Sequence, residues 1–326
     1  MIRLLTPADG AVVSQHTERQ KYFRAHSREL AIATVIDWRN LVDTGEKDNS
    51  FPEPVVFTWD GEGTSVTLAD NPEFRNAVVL NGEKGRAQAV NLLLDTTYYW
   101  KVDDSEIRSF RTENVTPRWI FAEGTTNIRD AGGWITTDGR KIRQGLLYRG
   151  SEMDTHKTIT EEGIRTLRDV LGICTDLDLR GEAVGKVTES PLGPDVRFVL
   201  LPANAGDSFE ADPIHIREIF ETMAKPENYP IYYHCWGGAD RTGLYGYMLG
   251  AVLGMNDEDL VLDYELTSLS VWGCRSRDGE GCPMKLKCFA PYGKTIQEQI
   301  IGYLLDHGVT METIASIRQI LLEDRP

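Results

Sequence analysis

The chain has 326 residues, 41% hydrophobic and 26% charged, a globular balance with enough length for two domains of ordinary size. Its 35 basic residues against 50 acidic ones leave a net charge of −15, and base is the minority on both sides of residue 115 (13 against 18 before it, 22 against 32 after it), which argues against nucleic-acid binding and general adhesion to anionic membranes. No apolar run reaches membrane-spanning length, and the opening Met1-Ile2-Arg3-Leu4-Leu5-Thr6-Pro7 is too short for a signal-peptide core, so a cytoplasmic protein is expected, with export through a leader removed upstream left open. Residues 1–115 read as short strands: Phe57–Trp59, Ser65–Leu68, Ala87–Val90, Thr97–Val102 and Ser109–Thr112 are β-rich, with turn signals at Asp60-Gly61 and Asn81-Gly82. That pattern predicts a small β-sandwich with its tyrosines and tryptophans in the core. A polar stretch at about 14–50 reads as an insertion in it. Arg19 to Leu41 contains helix formers, but Phe23, Leu30, Ile32, Val35, Ile36 and Trp38 follow no clean helical period.

From 116 to 326 strands alternate with helices, which predicts a central sheet flanked by helices. Leu146–Tyr148, Ile173–Leu179, Val196–Leu201 and Ile231–His234 are the strands. Thr160 caps a helix whose apolar face is Ile164, Leu167, Val170 and Leu171, with Gly172 ending it. Asp212-Pro213 is expected to start a helix running to Met223, with Asp212 as the cap. Further helices are predicted at about 243–253, 257–267, 295–307 and 311–322. Residues 270–292 are broken by Gly273, Gly279, Gly281, Pro283 and Pro291 and carry Arg275, Arg277, Lys285 and Lys287. They read either as a lid over a substrate or as a solvated loop. Of the five cysteines, Cys274, Cys282 and Cys288 are spaced C-x7-C-x5-C, which fits no common zinc pattern. No metal or cofactor is expected; a local disulfide is one state open to an exported protein, free thiols the other.

The chemistry concentrates in His234-Cys235-Trp236-Gly237-Gly238-Ala239-Asp240-Arg241-Thr242-Gly243. A strand, a glycine-rich loop and a helix in that order form an anion cradle, because loop N–H groups turn inward and the helix N-terminus adds partial positive charge. A cysteine at the base of such a cradle is favoured as a thiolate, and an arginine six positions later can grip two phosphate oxygens. The competing reading is a buried structural cysteine beside a surface arginine.

This stretch resembles the signature loop of the cysteine-dependent protein-tyrosine-phosphatase superfamily. Asn127-Ile128-Arg129-Asp130-Ala131-Gly132-Gly133, Gly145–Ser151, Leu177-Asp178-Leu179-Arg180 with Glu182, and Asp263-Tyr264-Glu265-Leu266-Thr267 resemble, in order, blocks of one bacterial tyrosine-phosphatase family over about 120–323. Thr6-Pro7 with Asp9-Gly10, Trp59, Asn91-Leu92 through Val102, and Ser109–Thr112 resemble a fibronectin type III module. The implied fold is an α/β cysteine-phosphatase domain at 116–326, preceded by an all-β sandwich at 1–115.

The resemblance implies a phosphocysteine intermediate on Cys235. Arg241 and the amides of Trp236, Gly237, Gly238, Ala239, Asp240 and Arg241 would hold the phosphate. His234 is expected to organise the loop and tune the thiolate. Thr242 either hydrogen-bonds the thiolate or serves as a first-turn helix hydroxyl. Arg129 and Asp130 are read as shaping the rim of the site. The leaving group needs an acid. The family implies Asp240, inside the loop; the wider superfamily implies an upstream aspartate, for which Asp207 is the alternative. Trp236 either stacks at the rim or packs beneath it. Ala239 stands where the family usually has lysine, which weakens the reading as a phosphoinositide or inositol-polyphosphate phosphatase and favours phosphotyrosyl proteins or peptides. A phosphate-recognising binding module with little turnover is the alternative from another class. A partner for the sandwich is open.

Overall fold

The computed structural model describes residues 2–32, 48–181 and 187–325. Val35, Ile36, Trp38 and Glu182, singled out above, lie outside the described residues. The chain divides into two compact units, Met1–Glu18 with Pro52–Trp119, and Arg19–Phe51 with Ile120–Pro326. The stretch read as an insertion in the sandwich thus gives residues 19–51 to the second unit, beginning with a helix at Glu18–Ile32.

The first unit is two β-sheets. One holds Arg3–Thr6, Val55–Asp60 and Arg86–Ala89, with Val55–Asp60 central and antiparallel to both neighbours. The other runs Ala11–Val13, Arg108–Thr112, Thr97–Val102, Ser65–Ala69, Val78–Asn81. Period-two alternation puts Val55, Phe57 and Trp59 of one sheet, and Tyr98, Trp100 and Val102 of the other, into a shared core. Phe57 meets Trp100 edge-on at 5.1 Å and Phe110 at 5.8 Å. The tyrosine- and tryptophan-rich strand is therefore core.

In the second unit, Arg197–Leu200, Thr175–Asp178, Ile231–His234 and Leu147–Gly150 lie side by side in that order, all parallel, and Arg129–Asp130 pairs antiparallel with Leu147–Gly150. Thr175–Asp178, Ile231–His234 and Leu147–Gly150 are buried at every position, as central parallel strands covered on both faces must be. The helix Asp240–Leu253 follows the central strand and is buried almost all round. Its glycines allow the contact: a Cβ on Gly246 would lie 2.7 Å from Arg149 Nη1 and 3.0 Å from the Tyr233 hydroxyl. Gly254, at φ +95°, ends it. Helices at Asp257–Glu265, Ile296–Asp306 and Met311–Leu321 begin at Asn256, Thr295 and Thr310, whose side chains each accept a first-turn N–H.

Three local expectations are corrected. Asp212 does not start the helix after it, which is Ile216–Met223 entered from His215; it instead closes a separate turn of helix at Asp207–Ala211. Asp212 precedes a proline, which disfavours the α region, and it is extended at φ −152°, ψ 84°. Val170 is 70% exposed, because after Glu161–Ile164 the helix widens to π geometry over Arg165–Val170 and rotates that side chain off the core. Strands at Arg3–Thr6, Ala11–Val13 and Val78–Asn81 were not expected from the sequence.

Candidate active site

The three buried parallel strands end together: His234 is in register with Gly150 on one side and Asp178 on the other. The loop Cys235–Ala239 leaves from this edge, the place where open α/β sheets bind ligands. Four of the five loop carbonyls are taken by groups outside the loop, and the fifth, of Ala239, accepts Gly243 N in the helix. His234 Nδ1 lies 3.1 Å from the Cys235 carbonyl, and Glu152 N donates to the Trp236 carbonyl at 3.0 Å. Asn127 Nδ2 donates to the carbonyls of Gly237 (2.9 Å) and Gly238 (3.3 Å), and Arg149 Nη2 also donates to that of Gly238 (3.0 Å). In a planar trans peptide the N–H points opposite its carbonyl, so carbonyls held outward turn the amides of residues 236–239 inward. Gly238 makes the turn at φ +64°, with no room for a side chain: a Cβ would lie 2.3 Å from the Gly150 carbonyl oxygen.

Cys235 lies at the base of this ring, 3% exposed. Burial pushes its thiol up, but the Arg241 guanidinium, the Thr242 hydroxyl and backbone N–H groups outweigh burial and hold it below the usual thiol range. Thr242 Oγ1 is buried and makes no hydrogen bond among the described residues, while its hydroxyl is one of the groups that lower the Cys235 thiol. Arg241 is steadied by one bond, Nη1 to the Leu179 carbonyl at 3.2 Å.

His234 Nε2 is 3.0 Å from Asp176 Oδ1, and its Nδ1 is 4.0 Å from Asp178 Oδ1. Burial works against the charged ring, yet the two aspartates prevail and raise its pKa to about 9. Arg180 is likewise buried and kept charged by Asp154 and Asp178: Nη1 is 2.6 Å from Asp154 Oδ1, and Nη2 is 2.7 Å from Asp178 Oδ2. Its guanidinium lies 5.2 Å from the centroid of the Trp236 ring, so Trp236 is held from one side by a fixed cation. His156 stands 4.9 Å from the same ring.

Arg129 and Asp130 are buried and bonded away from the loop interior. Arg129 Nε donates to Asp263 Oδ1 (2.7 Å) and its Nη1 to Asn127 Oδ1 (2.8 Å). Burial and neighbouring Arg149 push it down to about 10. Asp263 also pairs with Arg149 and, despite burial, is held low by these two arginines. Asp130 accepts N–H bonds from Gly132 (2.8 Å) and Gly145 (2.7 Å).

Asp240 is exposed in the first turn of the helix and is gripped by Arg275, Nε to Oδ1 at 2.7 Å and Nη2 to Oδ2 at 2.9 Å. Trp272 packs on Gly237, where an added Cβ would come 2.8 Å from its ring. Trp272 and Arg275 of the 270–292 stretch therefore lie against the loop and the start of its helix. Asp207 is exposed on the short Asp207–Ala211 helix, with no bond to the loop among the described contacts. All five cysteines are free thiols.

Residues 120–323 match the family model described as "Tyrosine phosphatase family". The chain belongs to the tyrosine phosphatase family. A Cupriavidus necator protein that carries the provisional name tyrosine-protein phosphatase is 26% identical over 165 residues, 43% of this chain. The match spans 59% of that relative's length. Among solved structures, the core catalytic domain of the PP-IP phosphatase SIW14 from S. cerevisiae aligns at 16% identity, over 43% of this chain and 80% of its own, with a TM-score of 0.29. P. aeruginosa TpbA aligns at 17% identity, over 55% of this chain and 88% of its own, also at 0.29. Within this tyrosine phosphatase family chain, the contacts that sequence reasoning did not assign are those of Ser50, Asn127, His156, Asp176, Asp263, Trp272 and Arg275. Asn127 and Asp263 fall inside the family-like blocks, and Trp272 and Arg275 inside the 270–292 stretch read as a lid or a solvated loop; the others carry no local signal.

Proposed function

We propose that this chain is a cysteine-dependent phosphomonoester hydrolase acting on phosphotyrosyl proteins or peptides. The observation that carries the proposal is a buried Cys235 held toward the thiolate by Arg241 and Thr242, beneath amides turned inward by four outward carbonyls. In this reading the thiolate attacks phosphorus, the bond from phosphorus to the leaving oxygen breaks, and Asp240 gives that oxygen a proton. Water then attacks the phosphocysteine and passes a proton to the Asp240 carboxylate, and orthophosphate leaves with the thiolate restored. Arg241 holds two equatorial oxygens throughout. Asp240 must leave Arg275 to donate, and its place at the loop supports it over Asp207. His234, Arg129 and Asp130 shape the loop rather than touch substrate.

A second reading, hydrolysis of a phosphoinositide or inositol polyphosphate, draws support from Arg275, whose charge is felt at Cys235 and which stands near the position where Ala239 lacks a cation. Against it, Arg277 is spent on Glu265 and Glu258, and Arg275 is paired with Asp240 until that carboxyl acts as the acid. The first unit is proposed to be a fibronectin type III-like binding module, supported by its two packed sheets. Five free thiols suit a reducing compartment.

The test is hydrolysis of p-nitrophenyl phosphate by the full chain and by Cys235→Ser. Turnover by the unaltered chain is expected, with none in the variant, which still binds orthovanadate. Failure of the unaltered chain to turn over would leave the binding-module reading; substantial activity in the variant would end the covalent mechanism.

A further inference from the structure

The outward carbonyls of the signature loop depend on Asn127, and Asn127 depends on a segment from far earlier in the chain. Asn127 is fully buried and sits at φ +58°, in the left-handed region. Its backbone N–H donates to Ser50 Oγ at 2.9 Å. Ser50, also fully buried, donates its hydroxyl proton to Asp48 Oδ1 at 2.5 Å, and its own N–H donates to that oxygen at 3.0 Å. Thr126 Oγ1 donates to the other Asp48 oxygen. Between Asp48 and Ser50, Asn49 N donates to the Leu269 carbonyl at 2.8 Å, which ties the segment to the end of the Leu266–Leu269 turn as well.

The bonds form one line. Asp48 fixes the Ser50 hydroxyl and leaves its lone pair for the Asn127 N–H; Asn127, so fixed, aims Nδ2 at the Gly237 and Gly238 carbonyls. Asn127 Oδ1 is taken by Arg129 Nη1, so its amide cannot flip without losing both ends. We infer that Ser50, held by Asp48, is a positioning residue for the phosphate loop: a segment lying in sequence between two strands of the sandwich completes the phosphate-binding unit. It acts through Asn127 and touches no substrate. The inference rests on the proposed reading of the loop as a phosphate site.

The experiment uses the full chain. Ser50→Ala removes the hydroxyl, Asn127→Gly removes the amide while tolerating the left-handed backbone, and the double variant closes a cycle. Two quantities are read: the Kd of orthovanadate by calorimetry, and kcat/KM for p-nitrophenyl phosphate. Ser50→Ala is expected to weaken vanadate binding roughly tenfold, the scale of one misdirected buried hydrogen bond. The double variant should be no weaker than Asn127→Gly alone, a non-additivity that a general loss of stability would not produce. Unchanged vanadate affinity in Ser50→Ala, or losses that simply multiply, would overturn the inference. If Ser50→Ala does not fold, Asp48→Ala, at a half-buried position, removes the acceptor that holds the Ser50 hydroxyl and takes its place in the same cycle under the same criteria. Vanadate binding without turnover in the unaltered chain would defeat the hydrolase reading yet still report on the Ser50 brace.

Discussion

At the scale of single residues, the site is a balance between buried charges of opposite sign. His234 has its pKa raised to about 9 by Asp176 and Asp178, against burial. A group whose folded pKa lies above its unfolded value stabilises the fold fully below the unfolded value, about 6.5, and that contribution fades as pH climbs through about 9. Cys235, held low in the fold, contributes the other way over part of this window, so the effect must be read in a Cys235→Ser background. There, stability is expected to fall between pH 6.5 and 9.5 by on the order of 3 kcal/mol, and Asp176→Asn should remove most of that slope. Guanidinium unfolding across the pH range measures both. Equal slopes with and without Asp176 would mean that His234 is not held charged. Asp240 yields a second expectation: if it protonates the leaving oxygen, Asp240→Asn slows a phosphotyrosyl peptide far more than an ester with a good leaving group. Steady-state kinetics on both substrates decides it, and the same pattern in Asp207→Asn instead would move the acid to the Asp207–Ala211 helix. Cys235, Arg241 and Asp240 were readable as candidates because they share one ten-residue stretch. Asp176 was not, because it lies 58 residues from His234; Arg275 was legible only as a cation of the 270–292 stretch, and its pairing with Asp240, 35 residues away, was not.

At the scale of elements, the strand, loop and helix around Cys235 were legible because each has a local cause: an unbroken β-rich run, two glycines, and a long apolar helix ending at Gly254. Val78–Asn81 was not legible, because its residues show no buried alternation and only pairing with Ser65–Ala69 makes it a strand. The π-helical widening at Arg165–Val170 has no sequence signal that we can name. The loop's geometry can be tested with glycines that differ in surroundings. Gly139 and Gly238 both have positive φ (+83° and +64°), but a Cβ on Gly139 meets nothing within 4 Å, while one on Gly238 meets the Gly150 backbone at 2.3 Å. Alanine at Gly139 should therefore cost only backbone strain, roughly 1 kcal/mol, and leave phosphate inhibition unchanged. Alanine at Gly238 should cost about 3 kcal/mol or more and abolish inhibition by inorganic phosphate, since the buried strand cannot give way and the loop must. Urea unfolding and a phosphate inhibition constant on the two variants check this. Equal behaviour of the pair would refute the close approach of loop and strand.

At the scale of the whole molecule, a net charge of −15 acts on every substrate that approaches. On the proposed reading, a site for one phosphate dianion needs only a local cradle, which the loop amides, Arg241 and the helix N-terminus would supply. A substrate with several phosphates brings extra charge that must be met outside the cradle. There Arg277 is committed to Glu265 and Glu258, and Arg275 is matched by the Asp240 carboxylate whenever that group is ionised. Its approach should be slowed by long-range repulsion, which added salt screens over about 10 Å at 0.1 M. Two outcomes are expected together. At low salt, kcat/KM for a phosphotyrosyl peptide of near-neutral sequence exceeds that for inositol hexakisphosphate. As sodium chloride rises from 20 to about 300 mM, a range spanning Debye lengths from roughly 20 to 6 Å, the inositol substrate gains relative to the peptide, because screening relieves the larger charge product. The opposite salt response, with the inositol substrate best at low salt and weakening as salt rises, would show that cations do collect it. That result would point to Arg275 leaving Asp240 to meet a second phosphate, and the substrate assignment would pass to the polyphosphate class while the Cys235 chemistry stood.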